Sequence, residues 1–244
     1  MTDREFFDDA REFLSDRRGR VLFVGGDPTD MVLDYVKAGR FVSVNRPTPQ
    51  AAERLRAGLK ALGAERQVTL DPRPYQAVEF DMSAFDGIVM AEPDPAETTA
   101  KALFKQVKHD LKTAGCFIAR VKVQRDPAAL PRLASVLQGL EKARVRLPDR
   151  LAARLAVRPS EGLVRAEIKQ FAEKYLKVAE VRYFDPLPEL ERLPPGVRAL
   201  MQRADVPARL AGTAMGDALC TRALVKLTNE RDFGTVFMKH VRRD

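Results

Sequence analysis

The stretch Val21-Leu22-Phe23-Val24-Gly25-Gly26-Asp27-Pro28-Thr29-Asp30 joins an apolar run to a glycine pair and then to a helix-forming segment. A buried strand that turns on glycine into a helix brings backbone N–H groups close to an anionic or nucleotide-type ligand. The candidate contacts here are Val24, Gly25, Gly26 and Asp27. The spacing is not G-x-G-x-x-G, and Asp27 would turn a negative charge toward a pyrophosphate, so a dinucleotide loop is disfavoured. No G-K-[ST] follows the strand, which excludes a Walker-type NTPase.

Other chemistry is sparse. With only His109 and His240, neither a zinc or haem set nor a Ser-His-Asp arrangement can be assembled. Cys116 and Cys220 lie in apolar runs far apart in the chain and read as buried, reduced thiols. Acids stand close behind two of the apolar runs, at Asp71 and Glu92. An equally good reading makes Asp27 and Asp71 turn residues and Glu92 a helix-start acid.

Forty-two Lys and Arg against 34 Asp and Glu give a net charge of +8, with the two signs interspersed along most of the chain. That pattern suits a solvated surface better than a nucleic-acid face. Arg150, Arg154 and Arg158 recur every four residues and would share a helix face with an anionic partner in reach. Asp149 and Glu161 stand nearby and no aromatics interleave, so solvated helix arginines are the favoured reading and nucleic acid is not. The start of the chain is acidic where a signal peptide would be basic, and no apolar run approaches bilayer length. A cytoplasmic location is expected.

The elements that must position these residues alternate between strand and helix. Thr2 and Glu5 form a capping box ahead of an apolar stripe at Phe6, Phe7, Ala10, Phe13 and Leu14. Strands are expected at 21–25, 41–44, 67–70, 85–90 and 116–123, separated by helices, one of which opens at Thr48-Pro49 and closes at Gly63. Such alternation implies parallel pairing through right-handed crossovers, with the ligand crevice at the carboxyl ends of the strands. Two more strands are expected at 178–184 and 219–228. Residues 233–241 read as another edge strand or as an arm that would make a homodimer. No boundary divides the 244 residues: a helix at 1–19, a first half at 20–125, cap helices and a sixth strand at 126–218, and C-terminal strands at 219–244 form one domain.

The order of elements resembles the class I S-adenosylmethionine-dependent methyltransferases, especially the small-molecule branch. The resemblance rests on Arg20 to Gly26, on Ala84-Phe85-Asp86-Gly87-Ile88-Val89, on Leu103 to Ala119, and on Val178 to Pro188. It implies an α/β fold with a seven-stranded, mostly parallel Rossmann-like sheet, helices on both faces and a helical cap. It further implies methyl transfer from S-adenosylmethionine to a small acceptor. In that family the first strand carries an acid and ends in three alternate glycines; here Phe23, Gly25, Asp27 and Thr29 stand at those positions. The ribose-binding acid at the end of the second strand is matched by Asn45, followed by Arg46, and the adenine-side acid by Asp71 or Asp81. Glu92 or Asp94 would supply a base where the acceptor needs one. Because the departures fall together at cofactor-anchoring positions, the alternative is a pseudo-methyltransferase acting as a binding or scaffold subunit.

Overall fold

The computed structural model describes residues 1–91, 99–124, 162–186, 217 and 220–230. In chain order the elements are α1 (Asp3–Phe13), β1 (Val21–Val24), α2 (Thr29–Lys37), β2 (Val42–Asn45), α3 (Pro49–Leu62), β3 (Val68–Asp71), β4 (Phe85–Ala91), α4 (Ala100–Asp110) and β5 (Leu111–Lys122). They continue with α5 (Arg165–Tyr175), β6 (Lys177–Pro186) and β7 (Cys220–Thr228). The strands form one sheet in the order β3-β2-β1-β4-β5-β7-β6. Strands β1 to β5 pair in parallel, and β7 runs antiparallel to both β5 and β6.

Both faces of the sheet are covered, which is why its central strands are apolar without alternation. Val21, Phe23, Val89 and Ile118 face α1, α2 and α3 and pack with Phe6, Val32 and Leu55. Their strand neighbours Leu22, Ile88, Met90 and Phe117 face the other way, against Leu103, Phe104 and Val107 of α4 and Ile168 of α5. Helix α5 falls in the stretch expected to build a cap, yet it packs on this face because Ile168 and Ala172 are fully buried there.

Local chemistry sets the helix ends. Thr2 and Glu5 make the reciprocal capping box, Thr48 caps α3 ahead of Pro49, and Gly63 ends α3 in the left-handed conformation. Strand β5 begins five residues before the expected Cys116, at Leu111, which pairs with Phe85 across a register shift. The early start is held by Asn229, whose Nδ2 donates to the carbonyls of Leu111 and Lys112 and whose backbone carbonyl accepts from Ala114 N. The segments around Arg144 to Arg158 and 233–241 lie outside the described residues. Among the described residues no helix is long and apolar enough to cross a membrane.

Candidate functional site

The parallel strands β1, β2, β3 and β4 end side by side, and their last residues build the carboxyl edge of the sheet. Val24 is the final residue of β1 and is buried against α4's side of the core. The turn that follows is double left-handed, with φ +71° at Gly25 and +64° at Gly26. A Cβ on Gly25 would lie 2.7 Å from the Ala91 carbonyl oxygen, and one on Gly26 would lie 2.8 Å from Ala91 Cβ. Both glycines are therefore required by the end of β4, whatever else they contact.

The turn is also clamped to β2's exit. Gly25 N donates to Asn45 O over 2.9 Å, and Thr48 N donates to Gly26 O over 3.1 Å. Asp27 does not aim its charge into the crevice. Its carboxylate accepts from Thr29 N and from the Thr29 hydroxyl, 2.6 Å away, and is ion-paired with Arg54 of α3. It thus serves as a turn acid ahead of α2.

Asn45 closes β2 with only 1 % of its surface exposed. Its Nδ2 donates to the Arg73 carbonyl over 2.8 Å, while its Oδ1 is buried with no hydrogen-bond partner. Arg46 follows in the left-handed region at φ +47° and donates its N–H to Asp71 O, which ties the turn leaving β2 to the end of β3. Asp71, at the end of β3, holds Arg73 through both carboxylate oxygens, at 3.0 Å from Nε and 2.6 Å from Nη2. The hydrogen bonds from the Arg73 side chain and backbone keep the Asp71 carboxyl below its ordinary range. Asp81, its rival, is exposed on the loop leading to the amino end of β4, and so it lies away from this edge. Glu92 and Asp94 lie outside the described residues.

A cavity of about 400 Å³ opens at the same edge between residues 1–3, Gly26, Ala91 and the arginines Arg120 and Arg222. Arg120 is almost fully buried; its Nη2 donates to Asp3 Oδ1 over 2.5 Å, and its guanidinium carbon sits 5.4 Å from the Phe6 ring centre. Sequence reasoning missed Arg54, Arg73, Arg120 and Arg222. Only for Arg73 was there a local signal, the Asp-x-Arg spacing; the others meet this edge through strand register and helix packing. Phe23, standing where the resembling family has an acid, is fully buried beneath α1 and α2, with its ring centre 5.9 Å from Tyr35's and 6.5 Å from Phe7's.

No family model matches the chain, and no curated protein matches it. Solved structures do. StiE O-MT superposes with a TM-score of 0.54 at 12% identity, covering 98% of this chain and 77% of that one. The geranyl diphosphate C-methyltransferase of Streptomyces coelicolor A3(2), solved with S-adenosyl-L-homocysteine, gives 0.51 at 15% identity over 93% of this chain and 80% of its own. The [4+2]-cyclase SpnF gives 0.51 at 12% identity, with 93% and 80% covered. With the strand order and the antiparallel β7 between β5 and β6, these likenesses identify the architecture: the chain has the fold of the class I S-adenosylmethionine-dependent methyltransferases.

Proposed function

We propose that this chain uses the methyltransferase fold as a binding or scaffold subunit and does not transfer methyl groups. The observation that carries the reading is Asn45, a residue 1 % exposed whose Nδ2 is committed to the Arg73 carbonyl where a ribose would have to be gripped, leaving only a buried Oδ1. The remaining anchors point the same way. Asp71 gives both oxygens to Arg73, Asp27 is taken by Thr29 and Arg54, and the acid of the first strand is replaced by a core phenylalanine. The nucleoside half of S-adenosylmethionine does not fit side chains spent in this way, since displacing each internal bond costs about 0.5–1.5 kcal/mol before any ligand contact is made. The fold does not compel methyl transfer, because function resides in the site, and one structural neighbour is a [4+2]-cyclase. What remains open at this edge is the cavity between the first residues of the chain, Gly26 and Ala91, of a size for a small molecule or a side chain of a protein partner.

A second reading, methyl transfer from S-adenosylmethionine to a small acceptor, is favoured by one feature: the cavity reaches Gly26 and Ala91, at the ends of β1 and β4. Under it Glu92 and Asp94 are the candidate bases. Calorimetric titration of the folded protein with S-adenosylmethionine and S-adenosylhomocysteine separates the two. The expected result is no heat at millimolar ligand. Micromolar binding, weakened by Asn45→Ala, would remove the main support of the scaffold reading and favour the second.

A further inference from the structure

The opposite edge of the sheet carries a second pocket, of about 350 Å³, around the amino ends of β1, β2 and β3. Four arginines line it, Arg18, Arg20, Arg40 and Arg66, and no acid does. Among the described residues none of the four has a carboxylate within ion-pair distance. The acid beside the pocket, Asp86, lies against Gly19 and is already engaged by Arg20 N at 3.0 Å and Lys112 Nζ at 2.7 Å. Gathering guanidinium groups without a counter-charge is unfavourable, and an anion placed among them relieves it.

Two of the four are held in place before any ligand arrives. Arg20 donates from Nη2 to the Ser43 hydroxyl over 2.9 Å and lies 5.0 Å above the Phe85 ring centre. Arg40 lies 4.5 Å above the Tyr35 ring centre, which holds its guanidinium in place. Gln67, also on the pocket wall, buries its Oε1 acceptor with no partner. Phe41 stands at the rim with 62% of its surface exposed, a large aromatic face in water beside four cations.

We propose that this pocket is a nucleotide site, taking the phosphates of a nucleoside phosphate among the arginines and stacking its base on Phe41. Guanidinium forks match phosphate oxygens in pairs, and an exposed ring accepts any base face. Gln67 Oε1 supplies an acceptor for a donor on the sugar or base. The site lies at the far end of the sheet from the cavity beside Gly26, so the proposal does not rest on whether that cavity takes S-adenosylmethionine.

Titrating the whole chain calorimetrically with ADP and with pyrophosphate tests the assignment. Arg18→Ala/Arg66→Ala removes two exposed guanidinium groups that the fold does not need, and affinity for both ligands should fall about tenfold or more. Phe41→Ala should weaken ADP several-fold and leave pyrophosphate unchanged. Absence of heat with millimolar ADP and pyrophosphate, or binding untouched by the double arginine change, would overturn the site. Equal sensitivity of ADP and pyrophosphate to Phe41→Ala would overturn the base-stacking half of it. Affinity for a single-stranded oligonucleotide that keeps rising with length, with ADP silent, would replace the small nucleotide by a nucleic-acid strand and so also overturn the proposal.

Discussion

The two edges of this sheet treat charge in opposite ways. At the carboxyl edge the charged side chains have found partners within the protein, Asp71 with Arg73, Asp27 with Arg54 and Arg120 with Asp3, while Asn45 gives Nδ2 to the Arg73 carbonyl and keeps a buried, unpartnered Oδ1. At the amino edge four arginines stand around a pocket with no acid among them, and the buried Oε1 of Gln67 lacks a partner. In open α/β sheets ligands bind outside the carboxyl ends of the strands. That rule follows from backbone geometry, and side chains can cancel it by satisfying one another. Which edge attracts an anion is decided by where like charges are left without a counter-charge.

The largest effect should come from the turn that both readings of the carboxyl edge share. Gly25 holds φ +71° and its missing Cβ leaves 2.7 Å to a backbone oxygen that has little room to retreat. Gly25→Ala should therefore lower stability by about 2–4 kcal/mol in urea unfolding, adding the left-handed penalty to the strain of moving Ala91. A variant as stable as the parent would mean that β4 does not press on the turn, and that the glycine pair is kept free for a ligand. The closed view of the carboxyl edge would then fail.

Next in size is Asn45→Asp, which returns to β2 the acid of the resembling family. A buried carboxylate facing the Arg73 carbonyl loses the Nδ2 donor and sets oxygen against oxygen, so stability should drop by about 1–3 kcal/mol at neutral pH. Unfolding curves measure the drop, and S-adenosylhomocysteine in the same experiment sharpens it. If the variant keeps its stability and is further stabilised by the ligand, the edge opens on demand and Asn45 is a dormant contact.

Much of this was legible before the fold was known, and the parts that were not share one cause. The apolar runs of β1, β4 and β5, the Thr48-Pro49 start and Gly63 stop of α3, and the Thr2-Glu5 box are local signals, and each appears where its chemistry puts it. The early start of β5 escaped notice because it depends on Asn229, more than a hundred residues away, bonding to Leu111 and Lys112. Asp27 was visible as a turn acid, but its ion pair required α3 to bring Arg54 alongside. The arginine pocket had no sequence signature at all. Positions 18, 20, 40 and 66 have no common spacing, and only the parallel starts of three strands bring them together.

The smallest expected effect sets one acid of each edge against the other through pH. Asp71 at the carboxyl edge is lowered by its bonds from Arg73, so its contribution to stability is present above the ordinary carboxylate value and lost as pH falls through the lowered one. Asp110 sits at the amino edge, just before β5, and accepts from the Tyr75 hydroxyl over 2.7 Å with His109 Nδ1 2.8 Å away. Burial outweighs those two bonds and raises its value. Its contribution is therefore full below the ordinary carboxylate value and lost as pH climbs through the raised one. Asp71→Asn should then cost stability at neutral pH and progressively less in acid. Asp110→Asn, which can still accept from Tyr75, should gain stability at neutral pH and lose that gain in acid. Urea midpoints for both variants, followed from neutral to acidic pH, should move apart in opposite directions from the parent. If both variants move the same way, the two edges are not electrostatically opposed, and the contrast between a paired edge and an unpaired one must rest on the arginines alone.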